Sequence, residues 1–212
     1  MSKINIVLAL VLVMSSAIIA VTVTLYFLRQ APIPIVLHAE TSLPELYPIA
    51  EFQLTDATGA PFGLENLQDT MWVANFMFTS CPSICPTLSA NMATLHKQFA
   101  DTSDIQFVSV TVDPETDTPE VLAEYATRFG ADPARWHFLT GPIEDIHTLA
   151  AESFKVGSVD NPVFHSDKFI LVDDKGYIRG YYTGTDIDDV QRLATDIELL
   201  RAERSARADS SA

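Results

Sequence analysis

The run "MWVANFMF", residues 71–78, is apolar at every position except Asn75, and it leads straight into "TSCPSICP". That second stretch holds the only two cysteines of the chain, Cys81 and Cys85, each followed by a proline. A near-continuous apolar run of this length reads as a central strand buried on both faces. Pro86 lacks a backbone donor and its ring clashes with the carbonyl four residues back. It also disfavours helical geometry at Cys85. The pattern predicts a tight turn over 81–85 and a helix opening with Pro86 at its first position. Leu88, Met92, Leu95 and Phe99 then recur at helical spacing. Both sulfurs are expected over a helix N-terminus at the carboxyl end of a strand, where free amides and the helix dipole lower a thiol pKa and favour thiolate.

The remaining pattern alternates. "EFQLTDATGAPFGLENLQDT" reads as a hairpin turning at 57–61, with Phe62 and Leu64 in its second strand. "IQFVSVTVD" is a second buried strand. "TPEVLAEYATRFG" is a helix with Thr118 as its cap, Pro119 at its first position and Gly130 beyond its end. "RWHFLTG" is a short strand or loop, and "PIEDIHTLAAESF" a further helix. "KFILVDDKGYIRGYYTG" is a hairpin turning at Asp174-Lys175-Gly176. "DIDDVQRLATDIELLRAE" closes the chain as a helix. Strands alternating with helices imply an α/β sandwich with a mixed central sheet. The order strand, cysteine motif, helix, strand, helix, hairpin, helix is that of a thioredoxin-like fold.

Residues 4–28 carry no charge and are long enough, at ~1.5 Å per residue, to span a ~30 Å hydrocarbon core. A cleaved signal peptide has an apolar core of only about 7–15 residues. The reading is therefore a tail over 1–3, an uncleaved transmembrane anchor over 4–28 and a proline-rich tether over 29–48. The thioredoxin-like domain follows over 49–203, and a disordered Ser/Ala/Asp tail over 204–212. The formal net charge is −15, and all 28 acidic residues lie after residue 30. A surface this acidic repels phosphate backbones and argues against nucleic-acid binding. A thiol pair outside the cytoplasm is most simply placed on a bacterial inner-membrane protein whose soluble domain faces the periplasm.

Three uses of the thiols compete. A stapling disulfide across so short a loop contributes only about 2 kcal/mol, against roughly 4–5 for a loop near 100 residues. Disulfide exchange and metal binding both need a thiolate. Two cysteines are too few for an all-cysteine metal site, so a third ligand would come from elsewhere, and thiolates favour soft ions such as Cu(I). Of the five histidines, His38 lies in the tether and His96 on the cysteine-bearing helix away from the motif. His137 and His147 read as ordinary surface or half-buried residues. His165, in "VDNPVFHSDKFILVDDKG", sits in the loop leading to the last hairpin. In a thioredoxin-like fold that loop faces the cysteine-bearing helix end, so His165 can approach Cys81 and Cys85.

"FTSCPSICPTLSANM", "VSVTVDPETDTPEVLAEYA" and "FHSDKFILVDDKGYIRGYY" resemble, in order and spacing, the three signature blocks of the SCO/SenC proteins. The resemblance covers roughly 45–203. It implies one copper ion, Cu(I) or Cu(II), held by the two motif cysteines and a distal histidine, here Cys81, Cys85 and His165. It also implies an acidic residue near the metal, here Asp113, whose plainer role is a strand-end cap before Pro114. The implied task is to deliver copper to, or keep reduced the cysteines of, the dinuclear copper centre of cytochrome c oxidase subunit II. Subunit II or another copper acceptor would be the partner. That is a metallochaperone rather than a turnover enzyme. Ser83 stands where the family often has an acidic residue. Asp117, with Thr118 and Pro119, reads as helix-start chemistry. The chief alternative is a periplasmic thiol–disulfide oxidoreductase of thioredoxin type, with Cys81 and Cys85 as its redox pair. Against it stand the extra spacer residue and the lack of a proline immediately before the last hairpin. A peroxiredoxin-like peroxidase fits the motif poorly.

Overall fold

The computed structural model describes residues 14–16, 19–23, 42–157 and 166–210. Two compact units cover 1–39 and 40–212. In the first, residues 14–16 and 19–23 are helical. The expected anchor over 4–28 falls largely outside the described residues, and among these no helix is long and apolar enough to cross a membrane.

The second unit is built on one mixed sheet. Its strands are β1 (Gln53–Asp56), β2 (Pro61–Gly63), β3 (Met71–Met77), β4 (Ile105–Thr111), β5 (Trp136–Thr140), β6 (Lys168–Val172) and β7 (Ile178–Thr183). They lie in the order β2-β1-β5-β4-β3-β6-β7. The central trio β3, β4 and β5 is parallel. The edges β1, β2, β6 and β7 join antiparallel. This is the expected thioredoxin-like sandwich. Every residue of β3 is buried, because side chains alternate between two covered faces. Met71, Val73 and Met77 face one core with Leu88, Met92 and Leu95 of helix α1 (Cys85–Gln98) and with Phe99, which caps its end. Val190, Leu193 and Ile197 of helix α4 (Ile187–Ser210) complete that layer. Trp72, Ala74 and Phe76 face the other core with Ile146 of helix α3 (Ile143–Thr148). Leu149, from the π-helical turn Leu149–Ser153 that continues α3, packs there too. Helix α2 (Pro119–Arg128) follows β4 and starts as expected, with Thr118 Oγ1 accepting from the Val121 amide at 3.5 Å.

Four expectations change. The second strand of the first hairpin ends at Gly63, and Leu64–Leu67 forms a 3-10 turn held by Asn66 Oδ1 accepting from the Gly63 amide at 2.8 Å. Helix α1 starts one residue early, with Cys85 helical and Pro86 second. The ring clash of Pro86 falls on the carbonyl of Pro82, which lies outside the helix, so the geometry carries no strain. The tether's last residues belong to the domain. Leu46 and Tyr47 exchange backbone bonds with Ile178, and Pro48 bridges Tyr177. Finally, the tail expected to be disordered over 204–212 is helical to Ser210. Arg204 and Arg207 pair with Asp174 of the last hairpin turn at 3.7 and 2.6 Å, contacts that the Ser/Ala-rich composition does not announce.

His96 is buried, not merely remote from the motif. Its ring packs against Phe107 and Trp136, and its Nε2 has no hydrogen-bond partner among the described residues. Burial, reinforced by the Arg135 charge, holds this imidazole below its ordinary value. An unfolded histidine titrates near 6.5. The unfolded chain therefore takes up a proton first as pH falls, so this contribution to stability is intact above about 6.5 and is lost below it. His96→Leu is expected to flatten the fall in urea midpoint between about pH 6.5 and 5 relative to wild type. Parallel wild-type and variant curves would refute this.

Candidate metal centre

The sheet delivers the thiols. The last rung between β3 and β4 is the Val112 amide on the Met77 carbonyl at 2.9 Å. Beyond it the chain turns through Phe78, Thr79 and Ser80, and the Cys81 amide returns to the Phe78 carbonyl at 3.3 Å. Helix α1 begins at once, its first turn closed by the Leu88 amide on the Ile84 carbonyl at 2.9 Å. No side chain caps it, which leaves its leading amides free for the sulfur in front of them. Both cysteines are free thiols, 4% and 2% exposed, and near enough for each to act on the other's proton affinity.

The two sulfurs are not equivalent. Burial acts to raise the Cys81 thiol, but the amides of Cys85, Ser83 and Ile84 and the Cys85 side chain bring it below its ordinary value. Burial pushes the Cys85 thiol up to about 12, against an opposing Phe78 amide and with the charges of Cys81 and Asp117 adding to the rise. The expected depression of both thiols thus holds for Cys81 alone. The helix amides point forward to Cys81, whereas Cys85 lies inside the first turn and against the core.

Asp113 and Asp117 both lie between β4 and α2, and the structure separates them. Asp113 is half-buried and caps the strand end through its backbone: its amide donates to Thr111 Oγ1 at 3.0 Å, and its carbonyl accepts from Thr116 and Asp117. Asp117 is fully buried. Its carboxylate accepts from the Thr79 amide at 3.0 Å, from the Thr79 hydroxyl and from the Thr111 hydroxyl at 2.5 Å. The charge of Asp117 acts on the Cys85 thiol. A sequence reading misses it because Asp-Thr-Pro before a helix looks like capping, and it takes the tertiary fold to turn the carboxylate back toward Thr79.

Ser89 and Tyr125 were not singled out by sequence either. Their hydroxyls meet at 2.8 Å in the core and tie α1 to α2. No sequence signal marks them, since each lies at an ordinary helical core position.

His165 lies outside the described residues, and among the described residues no three His, Cys, Asp or Glu side chains converge as a metal site. The strand that follows it is well placed. β6 runs antiparallel to β3 in the register Trp72↔Val172, Val73↔Leu171, Ala74↔Ile170. The start of β6 thus lies beside the end of β3, where the cysteine turn begins. The Gly184 amide donates to the Asp167 carbonyl at 2.6 Å, and Asn91 of α1 donates to the Gly184 carbonyl at 2.7 Å. Gly184 has no room for a side chain: a Cβ there would lie 2.6 Å from Leu88 and 2.9 Å from Phe169. This close approach lets α1 reach the strand that leads back to His165.

Residues 43–201 match the SCO1/SenC family model. The chain belongs to the SCO1/SenC family. The SCO1 protein homolog of Bacillus subtilis is 31% identical over 161 residues, covering 73% of this chain and 83% of that protein. Among solved structures, BsSco is 32% identical with a TM-score of 0.66, covering 74% of this chain and 95% of that one. BsSco is a member of the Sco family of cytochrome c oxidase assembly proteins in which a disulfide switch has been identified. ScoI of Arabidopsis thaliana, solved with copper bound, is 28% identical with a TM-score of 0.58, covering 70% of this chain and 97% of that one. Membership in the SCO1/SenC family accounts for the three blocks read from the sequence, and the matched span includes both cysteines, Asp113, Asp117 and His165.

Proposed function

We propose that this SCO1/SenC protein is a membrane-anchored copper-binding protein of cytochrome c oxidase assembly. Copper is held by Cys81, Cys85 and His165 and passed to the dinuclear copper site of the oxidase, or the same thiols reduce the cysteines of that site. The observation that carries the reading is the pair of free, buried thiols, four residues apart at the turn into α1, at the sheet end where β6 also begins. Two sulfurs and one imidazole form a soft donor set suited to Cu(I), and with an added ligand to Cu(II). Copper-bound Arabidopsis ScoI supports the metal, and BsSco supports the assembly role and the redox face of the pair. The recipient we propose is subunit II. The uncharged run over 4–28 supports a single-pass anchor in a bacterial inner membrane, with the copper domain in the periplasm.

The chain's own residues divide the work. The leading amides of α1 favour thiolate at Cys81. The Cys85 thiol keeps its proton until an ion displaces it, so loading releases protons and weakens as pH falls. Without metal the two thiols can close to a disulfide, giving up two electrons and two protons to an acceptor disulfide.

The test is titration of the purified protein with Cu(I) and Cu(II), comparing wild type with His165→Ala. One copper per chain is expected. His165→Ala is expected to lower the affinity by at least about tenfold, roughly 1.4 kcal/mol. Unchanged affinity for both ions would overturn the three-ligand site. Rapid reduction of a protein disulfide by a wild type that takes up no copper would favour the oxidoreductase reading.

A further inference from the structure

We propose that Asp117 is a positioning residue for the thiol pair: its buried carboxylate clamps Thr79, and through it the turn that carries Cys81. The inference rests on the copper reading for its purpose, but the clamp stands on its own geometry.

β3 ends at Met77, and Phe78–Ser80 carry the chain from it to the cysteine turn. The internal bond from the Cys81 amide to the Phe78 carbonyl is long, at 3.3 Å. Asp117 fastens this segment at its middle residue. It accepts from both the amide and the hydroxyl of Thr79, two residues before Cys81. The consequences reach both sulfurs, because the Phe78 carbonyl receives the Cys81 amide and the Phe78 amide faces the Cys85 sulfur. Asp117 is itself held rigidly. Its amide donates to the Asp113 carbonyl at 2.9 Å, Thr111 donates a third bond to its carboxylate, and Thr118 beside it caps α2. The turn is thereby fastened to β4 and to α2 together.

The choice of a carboxylate needs a reason. Asp117 is 0% exposed, and no cation pairs with it among the described residues. Burying a charge without a partner ion is costly, and three donors offset only part of that cost. For stability alone a neutral side chain would serve. A site built to receive a cation is different, because a fixed negative charge beside it is compensated when the ion arrives. Groups that orient metal ligands in this way typically contribute 10–100-fold in affinity.

The experiment compares wild type and Asp117→Asn, a neutral isostere, as full-length protein in detergent, with three readouts. By competition with a chromophoric chelator, Asp117→Asn is expected to bind Cu(I) about 10–100-fold more weakly. In glutathione buffers without metal, the Cys81 and Cys85 thiols pass two electrons and two protons to glutathione disulfide, forming their own disulfide and two glutathione thiols. A loosened turn lowers the effective concentration of one thiol at the other, so Asp117→Asn is expected to favour the dithiol by about tenfold. The melting temperature is the third readout. A lowered melting temperature with copper affinity and thiol equilibrium unchanged overturns the proposal. If wild type takes up no copper, the functional reading falls, and the thiol equilibrium alone decides: a shift supports the clamp and no shift overturns it. Should Asp117→Asn not fold, Thr79→Ala and Thr79→Ser replace it. Loss in the alanine variant with rescue by serine supports the clamp, and an alanine variant equal to wild type overturns it.

Discussion

Cys85→Ser is expected to lower Cu(I) affinity by about a thousandfold, roughly 4 kcal/mol, while the protein stays folded. The thiol sits in the first turn of α1, 2% exposed, near enough to Cys81 for that charge to act on it. A serine oxygen occupies nearly the same volume and leaves the helix start intact. It is a hard, neutral donor where Cu(I) prefers a soft thiolate. The remaining Cys81 would bind the ion in an open, weak arrangement. Cys81→Ser is expected to lose a similar amount, because the amides of Ser83, Ile84 and Cys85 favour the thiolate there and a hydroxyl cannot ionise in its place. Chelator competition measures the affinity, and circular dichroism reports the fold. An affinity within about tenfold of wild type for both variants, 1.4 kcal/mol or less, would show that copper is held elsewhere.

Arg179→Ala is expected to be the most destabilising single change, at about 3–5 kcal/mol. Arg179 is 3% exposed on β7 and donates to Asp173 at 3.0 Å and to Glu203 of α4 at 2.8 Å. It also donates to the carbonyls of Leu43 and Pro44, while the Leu43 amide returns to Glu203 at 2.7 Å. Asp173 is fully buried and shapes the last hairpin, accepting from the amides of Lys175 and Tyr177 at 2.9 Å each. One guanidinium thus joins the start of the domain, the hairpin turn and the closing helix. Removing it takes the buried cation from two acidic side chains that keep backbone donors, and a donor from two carbonyls, in a site water barely reaches, which is far worse than losing a surface pair. At about 2–4 °C per kcal/mol for a domain of this size, the melting temperature should drop by roughly 6–20 °C. A drop under about 2 °C would mean that the cluster is hydrated and contributes as a surface pair does.

Much of this architecture was legible because it depends on local rules. A short, near-continuous apolar run bounded by turn residues reads as a strand covered on both sides, and β3 is one. Thr118-Pro119 and Gly130 bracket α2 because caps act within a turn of the chain; Gly130 takes a left-handed φ of +67°. Asp174-Lys175-Gly176 turns the last hairpin, with Gly176 at +80°. The misreadings share a different cause. The segment 42–48 looked like a free tether because its prolines exclude a helix, yet its partners are Ile178 and Arg179, more than a hundred residues away. The last turns of α4 looked disordered because the composition is small and polar. What orders them is Asp174, contributed by a distant turn.

The sequence by itself determined that two thiols follow a buried strand and open a helix, and its three signature blocks specified the family. Those features are set by backbone geometry over a few residues and by order along the chain. Only the tertiary structure decided that the two thiols differ: burial acts on both, but it prevails at Cys85, where the Asp117 charge adds to it, and is outweighed at Cys81 by the amides of residues 83–85. It also separated Asp113 from Asp117 within "DPETD". Asp113 faces partly outward and ends a strand, whereas Asp117 turns inward to Thr79, 38 residues earlier in the chain. Burial and through-space charge depend on what other segments bring to the same place, and no local pattern of residues encodes that.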